Sequence, residues 1–379
     1  MSYRKLAVLI ATMTFVAAAC NPAAAPTTRP SATAAPTPAP TPAPTATAAP
    51  TPTAAPEGCT VGVSWNNYQE ERWAKWDEPA LKAAIEAGGG VYIPQDAASS
   101  EEKQASDIEN LQTQGADVLV VLAQNTTAVL PSVDAAIDAG VPVIAYDRLI
   151  ESERVLYTSF NNVEVGRMEA RVIFALVPTG NYVIIKGNGA DANSDFLRAG
   201  MEEIIGDAVA AGDIIIVGET YTDNWTPSLA QTHMENFLTA ESNNVQAVLA
   251  ENDGMAGGVV AALEAQGLAG QVPVSGQDGD LAALNRVALG TQSVSVWKDA
   301  RQLGTATGEA AIALCSDPDP ANVAGTATFQ TPGGNDVAGI LLDPLPITQE
   351  NLNLVLDAGW ITEAVLCQAV PAGSVDGCP

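Results

Sequence analysis

From Gly58 onward, short apolar runs alternate with longer amphipathic stretches: CTVGVSW then WDEPALKAAIEAGG, VYIP then SEEKQASDIENLQTQG, ADVLVVLAQ then VLPSVDAAIDAG, and VPVIAYD. The alternation predicts strand, helix, strand in repeating order. The strand candidates are apolar on both faces, as parallel strands sandwiched between helices must be. Gly88, Gly115 and Gly140 stand where left-handed C-caps are expected to end the first three helices. The same grammar restarts with NYVIIKG, IIIVGE, VQAVLAEN and VPVSGQD. The prediction is an α/β protein made of two doubly wound parallel-sheet lobes.

The pattern before Gly58 differs. Arg4 and Lys5 precede an apolar run from Leu6 to Val16, and Ala17, Ala18 and Ala19 lead to Cys20. This is the layout of a secretory signal, too short in its apolar part to span a bilayer. A cysteine after three small residues resembles the bacterial lipobox, where it takes a lipid anchor; cleavage near Ala19 with an incidental cysteine is the plain alternative. Residues 21–57 hold eleven of the 25 prolines, mostly as Thr-Pro and Ala-Pro. They predict a semi-rigid spacer that forms no core.

A length of 379 residues exceeds what one hydrophobic core usually supports, in keeping with two lobes. With 47% hydrophobic but only 5% aromatic residues, the core is expected to be aliphatic. The net charge of −28 belongs to the body, since only Glu57 of the 44 acidic residues precedes Gly58. Such a field repels nucleic acid and anionic lipid alike. His233 is the single histidine, which disfavours zinc sites and Ser-His-Asp or Cys-His catalysis; within LAQTHMENFLTA it is expected to be an ordinary helix residue. With Cys20 lipidated, Cys59, Cys315, Cys367 and Cys378 remain, an even number without a C-x-x-C pair. Disulfides are expected in an exported chain, and three pairings are open.

Ligands of open α/β sheets bind beyond the carboxyl ends of the strands. There the sequence places Asn66/Asn67, Gln124/Asn125, Asp147/Arg148, Asn188 to Asn193, Asn252/Asp253 and Gln277/Asp278, with Trp73 and Trp225 nearby. Carboxylates and guanidinium groups bridge adjacent hydroxyls, and indole faces cover the C–H face of a pyranose. This is the chemistry of a carbohydrate site.

At these residues the chain resembles the periplasmic sugar-binding proteins of ABC importers, closest to the xylose-binding branch, with the glucose and multiple-sugar receptors next. The motifs are Glu71-Arg72-Trp73, Ala145-Tyr146-Asp147-Arg148, Leu197-Arg198-Ala199-Gly200, Asn252-Asp253-x-x-Ala256-Gly257-Gly258 and Ser275-Gly276-Gln277-Asp278. Carried over by position, the resemblance implies sugar contacts at Arg72, Asp147, Arg148, Asn193, Asn252, Asp278 and Lys298, with Trp73 and Trp225 as the stacking pair. It also implies a type I periplasmic binding protein fold with hinge crossings near Tyr157, Gln292 and Asp343. The lobes would then be 58–157 plus 293–342 and 158–292 plus 343–379. The expected partners are a monosaccharide, xylose or a related aldose, and an importer permease, with a monomeric body, no cofactor and no metal. Two departures bear on sugar preference: Asn188-Gly189-Ala190-Asp191-Ala192-Asn193 replaces the family's Ser-Pro-x-Asp-Asn-Asn loop, and Asn66-Asn67-Tyr68 replaces an acidic pair.

Plainer readings stand beside these. Arg72 and Trp73 taken singly are a surface arginine and a core indole, and Asp147 with Arg148 is a structural ion pair. Asp191, Asn193, Asp195 and Glu202 have the spacing of a calcium loop, but Phe196 stands where its glycine is required. Three functional classes remain: a tethered receptor, a glycosidase using two of the carboxylates, and a sensory ligand domain. Cations beside the carboxylates favour recognition over proton donation.

Overall fold

The structure, a computed structural model, describes residues 58–378. The expected signal, Cys20 and the spacer lie outside the described residues. In chain order the elements are β1 (Thr60–Trp65), a π-helical turn at Trp73–Asp77, α1 (Glu78–Ala87), β2 (Val91–Asp96), α2 (Glu101–Thr113), β3 (Val118–Val121), α3 (Leu130–Asp138), β4 (Val143–Tyr146) and β5 (Leu156–Phe160). The chain continues with α4 (Asn162–Leu176), β6 (Gly180–Lys186), α5 (Ala192–Ala211), β7 (Ile214–Tyr221), α6 (Pro227–Ala240), β8 (Ala247–Ala250), α7 (Asp253–Ala265), β9 (Gln277–Asp278), α8 (Leu281–Leu289) and β10 (Ser295–Trp297). It ends with α9 (Ala300–Ser316), β11 (Ala327–Gln330), β12 (Asp336–Leu342), β13 (Leu345–Ile347), α10 (Asn353–Asp357) and α11 (Glu363–Leu366).

The first lobe is built on a seven-stranded sheet in the order β11-β12-β5-β4-β3-β1-β2, parallel except for β11. One apolar cluster (Val61, Val63, Leu81, Leu303) covers one face and a second (Ile108, Leu119, Val133, Val143) covers the other, as the two-sided apolar strands require. Strand β2 is half-exposed at the edge, where Pro94 costs no ladder bond. The caps depart from expectation at one helix. Gly115 and Gly140 are left-handed, at φ +85° and +89°, but after α1 it is Gly89, at +84°, and not Gly88 that turns the chain.

The second lobe is not one continuous sheet. Strands run β7-β6-β8 and, separately, β13-β10-β9, joined by a single parallel bridge between Val248 and Val274. Pro273 has no N–H to give to a ladder, and the Ser275 hydroxyl takes over, accepting from Ala250 N and donating to Ala250 O, each at 3.0 Å. Apolar clusters again lie on both faces, one around Val183, Met234 and Val259, the other around Ile184, Met201 and Leu249.

The position expected near Tyr157 lies inside β5, whose last residue, Phe160, still pairs with Leu342. The one expected near Gln292 precedes β10, which pairs with β9 and β13, so residues 295–297 belong to that sheet and Lys298 follows it directly. The third separates β12 from β13 around Asp343. Of the three open cysteine pairings, the chain has Cys59–Cys315, tying the start of β1 to the end of α9, and Cys367–Cys378, closing the C-terminal segment. Among the described residues, no helix is long and apolar enough to cross a membrane.

Candidate functional site

The carboxyl ends of both sets of strands face a cavity of about 280 Å³. All nine residues singled out in the sequence line it, joined by Glu70, Asp191 and Gln277. From the first lobe, the loop after β1 brings Arg72 and Trp73, and the turn after β4 brings Asp147 and Arg148. From the second come Asn193 at the start of α5, Trp225 in the turn after β7, Asn252 before α7 and Asp278 in β9. Lys298 enters directly after β10.

Arg72 is buried and almost fully engaged. Its Nη2 and Nε grip the Asp77 carboxylate at 2.8 and 3.0 Å, its Nη1 lies 3.0 Å from Asp147 and 3.4 Å from Asp278, and the guanidinium sits 4.3 Å from the centre of the Trp73 ring. Asp77 comes within reach because the Trp73–Asp77 turn is π-helical, which brings a side chain five residues on back to the arginine.

Asp147 is held in the left-handed region at φ +59°, an unusual conformation for a residue with a Cβ. Its N–H donates to Thr158 O at 2.7 Å, and its carbonyl accepts from Ser159 Oγ at 2.7 Å and Asn193 Nδ2 at 3.2 Å. Burial opposes ionisation of this carboxyl, but Arg72, Lys298 and Arg148 together hold it below the ordinary aspartate value. Asp278 is likewise left-handed, at φ +100°, with Lys298 Nζ 3.9 Å from its Oδ1.

Arg148 donates from Nη1 to Ala123 O at 3.0 Å, pairs through Nε with Asp191 at 2.9 Å and approaches Glu70 at 3.5 Å. Burial lifts both Glu70 and Asp191 above their ordinary carboxyl values, with Arg148 pulling the other way. Asn252 caps α7, its Oδ1 accepting from Met255 N at 2.9 Å, which leaves its amide N–H group to offer to the cavity. Gln277 presents a buried Oε1 with no partner among the described residues.

Four contributors escaped the sequence reading. Glu70 adjoins the Glu71-Arg72-Trp73 motif, but no spacing distinguishes it from Glu71, which pairs with Lys75 at the surface. Asp77 is reached only through the π-turn. Asp191 was weighed as a calcium ligand, yet it caps α5 and binds Arg148. Gln277 was placed at a strand end without a role.

A small cavity between two parallel-sheet lobes, lined by an indole from each and by charged hydrogen-bonding groups, is that of a two-lobed solute receptor with the type I periplasmic binding protein fold. The chain belongs to the periplasmic binding protein family, whose domain matches residues 61–318. It is 37% identical to a D-xylose-binding periplasmic protein of Escherichia coli (strain K12) over 308 residues, 81% of this chain and 92% of that protein. A multiple sugar-binding periplasmic receptor of Rhizobium radiobacter is 29% identical, over 80% of this chain and 91% of that one. Among solved structures, an ABC transporter solute-binding protein of Clostridium phytofermentans with bound β-D-glucose superposes with a TM-score of 0.74 at 26% identity, covering 81% of this chain and 99% of that one.

Proposed function

We propose that the chain is the extracytoplasmic receptor of an ABC sugar importer, capturing one aldose, D-xylose foremost, between its lobes and delivering it to a permease. The observation that carries this reading is the pairing of Trp73 and Trp225, one from each lobe, in one cavity with Arg72, Asp147, Arg148, Asn193, Asn252, Asp278 and Lys298. Two indoles offer a face to each side of a pyranose, and the surrounding donors and acceptors suit its equatorial hydroxyls. We take the cavity as a binding site and not a glycosidase site, since the carboxylates are engaged by guanidinium and ammonium groups and the relatives are binding proteins.

We place the lobe boundaries at the ends of β5, β10 and β12, and read the protein as an exported monomer anchored through lipid on Cys20, with residues 21–57 as spacer. Calorimetric titration with D-xylose, D-glucose, D-ribose and myo-inositol tests the central reading. Micromolar or tighter binding of an aldose is expected, and release of reducing sugar from an aryl xyloside, or no binding of any of the four, refutes it.

A further inference from the structure

The cavity has two tryptophans, and each donates its ring N–H to a carboxylate, that of Asp191 buried and that of Glu70 partly so. Trp73 Nε1 donates to Glu70 Oε2 at 2.8 Å, and Trp225 Nε1 donates to Asp191 Oδ2 at 3.2 Å. The two carboxylates converge on one guanidinium: Arg148 Nε lies 2.9 Å from Asp191 Oδ2, and Arg148 Nη2 lies 3.5 Å from Glu70 Oε1. Five side chains therefore run in an unbroken line from the first lobe to the second, Trp73 to Glu70 to Arg148 to Asp191 to Trp225. Two of its inner members are fixed to backbone. Arg148 is tied to the end of β3 through Ala123 O, and Asp191 accepts from Asn193 N at 3.0 Å.

We propose that Glu70 and Asp191 are positioning residues that aim the two indoles, with Arg148 as the shared bridge that sets one stacking face against the other when the lobes meet. The proposal rests on the reading of this cavity as a sugar site and adds to it a role for Glu70, which that reading does not require. An indole stacks on a pyranose only at a defined tilt, and a ring pinned by its N–H cannot turn about its Cβ–Cγ bond. Burying carboxylates is costly even when they are paired, so two beside a single arginine are poor candidates for mere stabilisation. Glu70 uses separate oxygens for the indole and the guanidinium, which is what a group joining the two requires. The Arg148–Asp191 contact crosses between lobes, so the pinned indoles are coupled to each other only in the closed arrangement.

The test compares wild type, Glu70→Gln and Glu70→Leu by near-ultraviolet circular dichroism of the sugar-free protein and by titration with D-xylose. Glutamine keeps an oxygen for the Trp73 N–H and removes the charge facing Arg148; leucine removes both. The expected result is graded: about threefold or more loss of affinity with the tryptophan band retained for Glu70→Gln, and about thirtyfold with a flattened band for Glu70→Leu. Wild-type affinity in Glu70→Gln overturns the proposal even where the leucine variant fails to fold, and so does a flattened band in Glu70→Gln. Should the wild type bind no sugar, the sugar reading fails and the spectra decide this proposal by themselves. A band lost in Glu70→Leu and kept in Glu70→Gln then supports it, and three identical spectra overturn it.

Discussion

A single methyl group at position 187 should cost the site most of its affinity although residue 187 does not line the cavity. Gly187 follows β6, and a Cβ built there would lie 2.2, 2.3 and 2.4 Å from the Cη2, Cζ2 and Cζ3 atoms of Trp225. Ordinary carbon contacts begin near 3.4 Å, so the indole would have to retreat by an ångström or more. The backbone cannot yield in its place. Gly187 N donates to Glu251 Oε2 at 2.7 Å and Gly187 O accepts from Thr222 N at 3.0 Å. Alanine meets no conformational penalty, because Gly187 is not among the left-handed glycines. The strain therefore falls on the ring, which moves towards the space the sugar would fill and tilts away from Asp191. Loss of one stacking face costs on the order of 2 kcal/mol, roughly thirtyfold in Kd. Calorimetric titration of Gly187→Ala with D-xylose should show that loss, with far-ultraviolet dichroism unchanged. Gly189→Ala is the matched control, since its Cβ would rest at an ordinary 3.5 Å from Tyr221. Wild-type affinity in Gly187→Ala would mean that Trp225 is not a platform, and the stacking assignment would fall.

The remaining predictions concern closure, disulfides and buried charge. Small-angle scattering should give a smaller radius of gyration with saturating D-xylose than without it, and Asp278→Ala should lose tight binding although the first-lobe contacts are intact; an unchanged radius argues against hinged capture. Mass spectrometry of the non-reduced body should show four fewer hydrogens than the reduced form. The Cys59→Ser/Cys315→Ser pair should lower Tm more than Cys367→Ser/Cys378→Ser, because the bridges span 256 and 11 residues, worth about 5.5 and about 3 kcal/mol in the chain-entropy account. Equal shifts would refute that ordering. Glu169 on α4 is fully buried with both carboxyl oxygens unpartnered among the described residues; burial, then Glu251, Asp253 and Asp278, push its carboxyl well up, against Lys298. A carboxyl raised in the fold contributes stability that is present below the ordinary glutamate value and lost as pH rises through the raised one. Glu169→Gln should therefore melt higher than wild type at alkaline pH and alike at pH near 4, and the reverse order would show the charge to be paired after all.

The parallel strands and covering helices of the first lobe were legible because two-sided apolar strands and amphipathic helices alternate from Cys59 to Asp147, although the alternation does not give their order in the sheet. Legibility failed where a local device replaced a regular one. Ser275 substitutes for ladder bonds beside Pro273, so the second lobe's sheet breaks at a place the apolar pattern does not mark. Gly88 and Gly89 are adjacent, and only the path of the chain decides which is left-handed. The cavity residues lay at strand ends and were visible through the resemblance, whereas Glu70, Asp77 and Asp191 were not, since each acts on another side chain: Asp77 through a π-turn, Asp191 on Arg148 of the opposite lobe, and Glu70 on Arg148 brought up by the strand order.

That second set explains how so many charges are tolerated in one small cavity. Arg72 Nη1 is shared between Asp147 of the first lobe, at 3.0 Å, and Asp278 of the second, at 3.4 Å, while Arg148 of the first lobe holds Asp191 of the second at 2.9 Å. Parting the lobes would separate Asp278 from Arg72 and Asp191 from Arg148, and water would take the place of each guanidinium. Closure thus exchanges hydration for ion pairing, a trade whose two sides nearly cancel. A balance so close to even is shifted by any ligand that adds contacts in the closed state alone, and hydroxyls inserted between guanidinium and carboxylate do so without leaving either charge unpartnered. A phosphorylated or carboxylated sugar has no such place. It would set an anion among Asp147, Asp191, Asp278 and Glu70 with only Arg72, Arg148 and Lys298 to answer it, and those cations are already engaged.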